Sequence, residues 1–168
     1  MKNNLIYKSV LTLIIMLSFT FTSCVETETL DVGTSEIVEA SGDWYIEFLV
    51  DGVDVFGIGY QLITTTNTAN DSGTEFIIDD RSHTWQFKVT SPIDTTDLTF
   101  SGSQLFSRVD DYEVTVNINN GKITKDGAIS TGGNTVDGIY FEAEFSDDPG
   151  TIYQLVGYKR TGLAEDEH

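Results

Sequence analysis

The chain alternates apolar and polar residues over most of its length, and this alternation constrains its fold more than any other feature. From Gly42 onward, segments with a period of two residues are separated by short turn sequences such as Asp51-Gly52 and Asp71-Ser72-Gly73. A period of two is typical of strands with one buried face, because successive side chains point to opposite sides. No segment of this region shows the helical period of 3.6 residues. The sequence therefore predicts an all-β domain over residues 42–168.

About eight strands with short turns fit either a β-sandwich or a closed antiparallel barrel. Closure is favoured because it removes the exposed strand edges that promote pairing between molecules. Asn120-Gly121 is the strongest hairpin signal, since both residues tolerate positive φ. Pro92 is expected to end its strand, because proline lacks the amide that a ladder needs.

The N-terminal segment has the pattern of a secretory signal peptide. Lys2 and Lys8 precede an apolar run from Val10 to Leu17, which is shorter than the roughly 20 residues needed to span a bilayer. The sequence Phe21-Thr22-Ser23-Cys24 follows this run. We therefore predict a signal peptide over residues 1–23.

A cysteine directly after Phe-Thr-Ser resembles the lipobox of bacterial lipoproteins. The resemblance implies cleavage after Ser23 and a lipid thioether on Cys24; the alternative is an ordinary secreted protein with a chance cysteine. Residues 24–41 would then be the lipidated cysteine and an acidic tether, which anchors the protein to a membrane of the cell envelope. Glu26 and Glu28 resemble the acidic signal of lipoproteins displayed on the outer membrane, although a solvated linker explains them equally.

The strongly acidic composition excludes several classes of partner. The net charge is −18, so the surface repels the phosphates of nucleic acids, whose binding depends on lysine and arginine. It also repels anionic lipid headgroups, which leaves the lipid on Cys24 as the membrane attachment. Cys24 is the only cysteine, so the folded domain is expected to contain neither disulfides nor cysteine-based metal sites.

Two sequence motifs resemble those of known families. Gly42-Asp43-Trp44 looks like the Gly-x-Trp that opens the barrel in calycins, the superfamily of lipocalins and fatty-acid-binding proteins. In lipocalins, a basic side chain near the end of the last strand packs over this tryptophan. The resemblance implies that Arg160, or its neighbour Lys159, closes one end of the barrel over Trp44 through a cation–π contact.

The C-terminal motif is more specific. The sequence from Gly157 to Gly162, followed by Glu165-Asp166-Glu167, resembles the closing segment of the lipid-binding putative hydrolases, a family of short bacterial lipoproteins. The resemblance implies a calycin-like barrel and a small hydrophobic ligand. The hydrolase part of the family name comes with no motif that can be placed on these residues.

The sequence contains no pattern that predicts a catalytic residue. His83 and His168 are the only histidines, and Ser82 next to His83 would point to the opposite face of a strand. The acid pairs could bind calcium or act on a glycosidic bond, but solvated turn acids are the simpler interpretation, and we predict no metal or cofactor. These pairs are Asp79-Asp80, Asp110-Asp111 and Asp147-Asp148.

In each strand, the alternate positions that carry apolar side chains would face the interior of a barrel. These side chains would form either a solid core or the lining of a pocket. Gln154 is the polar exception, which would orient a ligand headgroup or satisfy a backbone group. The residues predicted to contact a ligand are Trp44, Phe48, Tyr60, Trp85, Phe87, Phe141, Gln154 and Tyr158.

Three hypotheses about function follow. The first is a membrane-anchored lipoprotein whose barrel binds a small hydrophobic or lipid ligand. The second is a structural or adhesion lipoprotein with a filled core, which the polar stretch from Thr64 to Asn70 favours. The third, a hydrolase, rests on the family name alone.

Overall fold

Eight antiparallel strands close into a barrel in the computed structural model, which describes residues 34–168. Each strand pairs with its neighbours in sequence, and the first also pairs with the last. The prediction of an all-β, calycin-like barrel is confirmed, whereas the predicted signal peptide and Cys24 lie outside the described residues. Within residues 34–168, no helix has the length and hydrophobicity to cross a membrane. The strands are β1 (Gly42–Val50), β2 (Gln61–Asn67), β3 (Glu75–Asp79), β4 (Lys88–Asp94), β5 (Thr99–Phe106), β6 (Thr115–Ile129), β7 (Thr135–Phe145) and β8 (Tyr153–Lys159).

Side chains fill the interior of the barrel. In β1, Trp44, Ile46 and Phe48 point inward, and in β7 every second residue from Ile139 to Phe145 does so, as the alternation predicts. An internal cavity large enough for water would leave accessible surface on the side chains around it. The largest interior side chains are at most 1% exposed, so the interior is a solid core; they are Trp44, Phe48, Phe76, Phe87, Phe141 and Phe145.

The pairing of β1 with β8, which we call the seam, closes the barrel. Its seven ladder pairs run from Trp44–Lys159 to Val50–Tyr153. In the middle of the seam, Gly157 lies opposite Ile46. A Cβ atom on Gly157 would overlap the backbone carbonyl oxygen of Tyr45, so the seam requires a residue without a side chain at this position.

Two bulges bend β6, the longest strand. The strand continues through Asn120-Gly121 without a chain reversal, so the predicted hairpin turn at these residues is wrong. The register with β7 shifts there and again near Asp126, and both Asn120 (φ 53°) and Asp126 (φ 50°) have positive φ. Such a conformation can serve a bulge as well as a hairpin turn. The turn between β6 and β7 lies at residues 130–134 instead.

Strand β4 continues through Pro92, which differs from the prediction that this proline ends the strand. Ile93 donates its amide to the carbonyl oxygen of Thr74 beside β3 (3.0 Å), so the nitrogen of the preceding Pro92 faces β5 on the other side. The ladder between β4 and β5 has two pairs, Ile93–Phe100 and Asp94–Thr99. The missing amide of Pro92 therefore falls where the ladder has no pair.

The segment before β1 caps one end of the barrel, which we call the closed end. A 3-10 turn at Val38–Ala40 packs there, and Ile37 and Ala40 are fully buried in the core. The indole of Trp44 donates to the Thr65 hydroxyl (2.8 Å), which donates to the carbonyl oxygen of Ala40 (2.6 Å). Residues 34–41, predicted as the end of the tether, are thus part of the folded domain.

Candidate ligand site at the loop end of the barrel

Four loops converge opposite the closed end, at what we call the loop end. Alternate connections of an up-and-down barrel lie at the same end, which brings these loops together although they are far apart in sequence. The first of them carries apolar side chains that remain exposed, a feature that the strand pattern does not explain. The loops are residues 51–60, 80–87, 107–114 and 146–152.

Five aromatic rings pack against one another at the loop end and form the aromatic mouth: Phe48, Phe56, Trp85, Phe145 and Tyr153. The rings of Phe48 and Tyr153 stack with centroids 4.7 Å apart, and Trp85 stacks on Phe145 at 5.0 Å. Such pairs contribute about 0.5–1.5 kcal/mol beyond the area that they bury. Phe56 lies 5.8 Å from Phe48 and remains 50% exposed, so one ring of the mouth faces solvent.

A small cavity opens between the aromatic mouth and the neighbouring loops. Its volume of about 160 Å³ equals that of about five water molecules, enough for a compact apolar group but too little for a whole lipid. Phe56 and Ile58 contribute to its wall from the first loop, so movement of that loop would enlarge the cavity. The lining residues are Phe48, Phe56, Ile58, His83, Thr84 and Trp85.

The carboxylate of Asp80 fixes the loop that carries Trp85. It is fully buried, and it accepts hydrogen bonds from five backbone amides and one hydroxyl within residues 82–87. The amide of Trp85 lies 2.9 Å from Oδ2, and that of Phe87 lies 3.0 Å from Oδ1. The interpretation of Asp80 as a solvated turn acid is therefore wrong. The carboxylate supplies the acceptors that strand pairing would otherwise provide.

The acid pair Asp147-Asp148 also anchors aromatic side chains. Trp85 Nε1 donates to Asp147 (3.0 Å), the Tyr112 hydroxyl donates to the same carboxylate, and the Tyr153 hydroxyl donates to Asp148 (2.6 Å). Burial and the bond to Asp147 raise the pKa of Tyr112 to about 12. Burial opposes ionisation of Asp147, but the bonds from Tyr112 and Trp85 outweigh it and lower the pKa of this carboxyl. The phenol therefore stays a donor to an ionised acid at neutral pH.

The structure brings two of the predicted ligand-contacting residues to the mouth, Phe48 and Trp85. Trp44, Phe87 and Phe141 lie inside the barrel, where they are fully buried against other side chains. These three belong to the core and have no surface to offer a ligand.

Gln154 and Tyr158 were predicted to point into the barrel, and this prediction is wrong. In β8 the core-facing residues are Tyr153 and Leu155, so Gln154 and Tyr158 point outward. Gln154 Oε1 accepts a hydrogen bond from the amide of Gly52 (2.8 Å), which ties β8 to the first loop. Both faces of β8 carry apolar side chains, and alternation alone cannot tell which of them faces the core.

Tyr60 precedes β2 and joins an outer aromatic cluster with Tyr45, Tyr158 and His168, outside the barrel. The His168 ring lies 4.5 Å from the Tyr60 ring and 4.8 Å from the Tyr45 ring, and its Nε2 lies 2.6 Å from the Tyr158 hydroxyl oxygen. The segment after β8 thus covers the outer face of β1 and β8. This cover explains why Tyr45 and Tyr158 are buried although they point away from the core.

Asp166 holds the segment after β8 in place. Its carboxylate is fully buried and accepts hydrogen bonds from the amide of Gly132 (2.5 Å), the Asn134 side chain (3.1 Å) and the Thr161 hydroxyl (2.7 Å). Burial acts to raise the pKa of Asp166, but hydrogen bonds, including one from Ser130, outweigh it and lower the pKa to about 2. The carboxylate stays ionised at neutral pH and ties the segment to the turn between β6 and β7.

At the closed end, Lys159 packs over Trp44 in place of Arg160. The Lys159 Nζ atom lies 5.6 Å from the centroid of the Trp44 ring, within the range of a cation–π contact. Arg160 instead pairs with Glu167, its Nη2 atom 2.6 Å from Oε2. The predicted contact exists, but Lys159 makes it. Lys159 is the residue of β8 that pairs with Trp44, and its side chain lies on the same face of the sheet as the Trp44 ring.

In the described part of the chain, neither histidine hydrogen-bonds a serine hydroxyl. The Nδ1 atom of His83 lies 2.7 Å from the carbonyl oxygen of Leu62, and His168 contacts Tyr158. Within residues 34–168, no group of three or more histidine, cysteine or acidic side chains could hold a metal ion. At the loop end, the described geometry is a cluster of aromatic rings beside a small cavity.

Phe56, Tyr112 and Tyr153 are among the residues of the site that sequence analysis missed. Phe56 follows Val53 and Val55 in a segment rich in glycine and aspartate, and apolar residues in such a turn are a sequence signal of an exposed contact surface. Tyr112 and Tyr153 reach the mouth through hydrogen bonds to Asp147 and Asp148, which no local pattern indicates.

The described residues form an up-and-down barrel of eight strands, capped at one end by a 3-10 turn and with an apolar mouth at the other. The family model described as lipid-binding putative hydrolase matches residues 29–164. The chain belongs to this family, which confirms the resemblance found at its C-terminal motif. A search of the curated proteins found no match.

Proposed function

We propose that this protein is a membrane-anchored lipoprotein of the cell envelope that binds a small apolar or lipid molecule at the aromatic mouth. The observation that carries the proposal is the cavity between Phe48, Phe56 and Trp85, in a barrel whose interior is otherwise filled. Membership of a lipid-binding family supports the ligand class. The lipobox-like sequence at Cys24 supports the anchor, with the outer membrane as its location.

The solid core decides where a ligand can bind. A ligand inside the barrel would have to displace side chains such as Phe76 and Phe141, which are fully buried. Opening space in a packed core forfeits contacts worth about 20–30 cal/mol per Å² of apolar surface. A ligand at the mouth needs only the first loop to move.

The first loop supports the proposal, because it exposes several apolar side chains. Val53 and Val55 are 60% and 55% exposed, and Phe56 and Ile58, further along the same loop, line the cavity. Apolar surface of this kind on a loop is typical of a contact with a ligand or partner. An acyl chain or ring that enters the cavity would cover Phe56 and Ile58 and remove them from water.

Replacing Phe56 with alanine is expected to weaken the binding of an uncharged apolar probe, N-phenyl-1-naphthylamine, about tenfold. Burying a phenyl ring completely stabilises by about 1.5–3 kcal/mol, and a ligand would cover only the exposed half of Phe56. Fluorescence titration of the domain measures the change. Ile129→Ala is the control, since Ile129 is 63% exposed near the closed end. Equal affinity of both variants for the probe would contradict the site, and a failure of the unaltered domain to bind would contradict the function.

Replacing Cys24 with alanine is expected to release the protein from the membrane fraction, because several acyl chains are needed for stable anchoring. Fractionation of cells and incorporation of labelled palmitate measure the change. Ser18→Ala, within the predicted leader, serves as the control and should leave both readouts unaltered. A Cys24→Ala protein that stays in the membrane fraction would argue against the lipid anchor.

A structural or adhesion role is the second candidate, and the filled interior favours it. The polar stretch that pointed to this role is largely a strand, since Thr64–Asn67 belong to β2 and Thr65 is buried. No probe binding by the unaltered domain, in the titration above, would favour this candidate.

A further inference from the structure

A second, more polar depression lies beside the aromatic mouth. It is a groove of about 610 Å³ along the outer surface near β1 and β2. Its volume is within the range of small-molecule sites, about 300–1,000 Å³, and much larger than the cavity in the mouth. We call it the side groove; its lining includes Tyr45, Ile58, Tyr60, Gln61, His83 and His168.

The side groove and the mouth cavity share two lining residues. Ile58 and His83 contact both spaces, so these side chains form the boundary between them. One molecule that places an apolar group between Phe56 and Trp85 can therefore extend past Ile58 into the side groove. The apolar cavity and the polar groove are adjacent, so together they are complementary to an amphiphile, a molecule in which an apolar part is joined to a polar part.

The side groove offers both hydrogen-bond acceptors and donors. His83 Nδ1 faces the carbonyl oxygen of Leu62 (2.7 Å) and must carry the proton in the neutral ring, which leaves Nε2 as an acceptor. Gln61 Nε2 donates one hydrogen to the carbonyl oxygen of Ile58 (2.7 Å), which leaves its second N–H as a donor and its Oε1 as an acceptor. Such a mixed set matches a ligand whose polar groups both donate and accept, as hydroxyl groups do.

Tyr60 adds a hydroxyl that can donate or accept and that has no hydrogen-bond partner among the described residues. Burial and the nearby charge of Glu47 raise the pKa of Tyr60, so the hydroxyl stays protonated at neutral pH. Its ring also offers an aromatic face beside His168. An ionised carboxylate or phosphate headgroup has no donors for the acceptors of the groove, and its negative charge would be repelled by a protein of net charge −18.

We propose that the side groove holds the headgroup of the amphiphile whose apolar part occupies the aromatic mouth, and that this headgroup is uncharged and rich in hydroxyl groups. The inference rests on the proposed function. It assigns the headgroup to Tyr60, Gln61 and His83, and the apolar part to Phe56 and Trp85.

The test compares three probes with the same eight-carbon chain: octyl glucoside below its micelle concentration, octanol and octanoate. Titration is followed by the tryptophan fluorescence and by the NMR shifts of the domain. We expect octyl glucoside to bind about tenfold more tightly than octanol, as two or three added hydrogen bonds predict, and octanoate to bind most weakly. Tyr60→Phe and Gln61→Ala should each reduce the glucoside advantage several-fold without changing the affinity for octanol.

Two control variants separate the groove from the mouth. Phe56→Ala should weaken both octyl glucoside and octanol, because it removes part of the apolar site. Tyr140→Phe should change neither, because Tyr140 lies on β7 and its hydroxyl bonds Glu142 (2.8 Å), away from the groove. Equal binding of glucoside and octanol, or tightest binding of octanoate, would overturn the headgroup assignment and leave the apolar site standing. If no probe binds the unaltered domain, the proposed function itself fails.

Discussion

Replacing Asp80 with alanine is expected to lower the free energy of unfolding by at least about 3 kcal/mol. The substitution would leave six donors in the loop of residues 82–87 without their acceptor, and a buried donor without a partner costs about 1–3 kcal/mol. Some of these donors would form hydrogen bonds with water instead, so the expected loss of stability is smaller than the sum of the six separate penalties. A loss of this size is a large share of the stability of an ordinary domain.

Urea unfolding, followed by tryptophan fluorescence, measures this loss. The matched control is Asp79→Ala at the neighbouring position, where the carboxylate is partly exposed and pairs with Lys88 (2.8 Å). A surface pair of this kind contributes about 0–1 kcal/mol, so the control should remain close to the unaltered protein. If both variants lost the same stability, the buried carboxylate would not be the organiser of the loop. Because Asp80 positions Trp85, its loss should also weaken binding at the mouth.

Replacing Gly157 with alanine is expected to cost at least about 3 kcal/mol, or to prevent folding. The new Cβ atom would overlap the carbonyl oxygen of Tyr45 and lie 2.7 Å from the Cα atom of Ile46. Both are backbone atoms of β1, so relief requires that β1 and β8 separate at the seam. Rotamer changes cannot provide that relief.

Gly138→Ala is the control for the seam. A Cβ atom there would lie 3.3 Å from the Ala128 side chain and the Gly127 backbone, a tight contact that a small shift can relieve. Both substitutions reduce the entropy of the unfolded chain in the same way, so the difference between them reports the clash. Thermal and denaturant unfolding measure that difference. Equal stability of the two variants would contradict the requirement for glycine in the seam.

Alternation predicted the barrel because the core is continuous and the strands present one face to it. It failed on β8, where Tyr158 is buried on the outer face by the segment that contains His168. A strand covered on both sides has no polar face from which its orientation could be read. Gln154 was assigned to the interior for this reason.

The sequence predicted the backbone conformation of Asn120 correctly, but it did not predict which structural element that conformation forms. Asn120 does adopt positive φ, but in a bulge that fits Gly121 against Phe100 of β5, and the turn comes at residues 130–134. The choice between a turn and a bulge depends on where the partner strands end, which is a property of the whole sheet.

The site was the least predictable part, because its residues come from different loops. Trp85 was identified as an aromatic residue of interest but was assigned to a strand, whereas Asp80 builds a separate loop for it. Tyr112 and Asp147 are 35 residues apart, and only the closed barrel brings them together. Sequence spacing carries no signal for such a contact.

The seam also constrains how the protein can be made. Every other ladder joins strands that follow one another, but β1 finds its second partner only when β8, more than 100 residues later, becomes available. During synthesis, a chain that emerges N-terminus first can build a growing sheet but cannot close it until Lys159 has left the ribosome. Closure of the barrel therefore requires β8. A chain that ends before β8 keeps the edge of β1 unpaired, and a chain that includes β8 covers this edge.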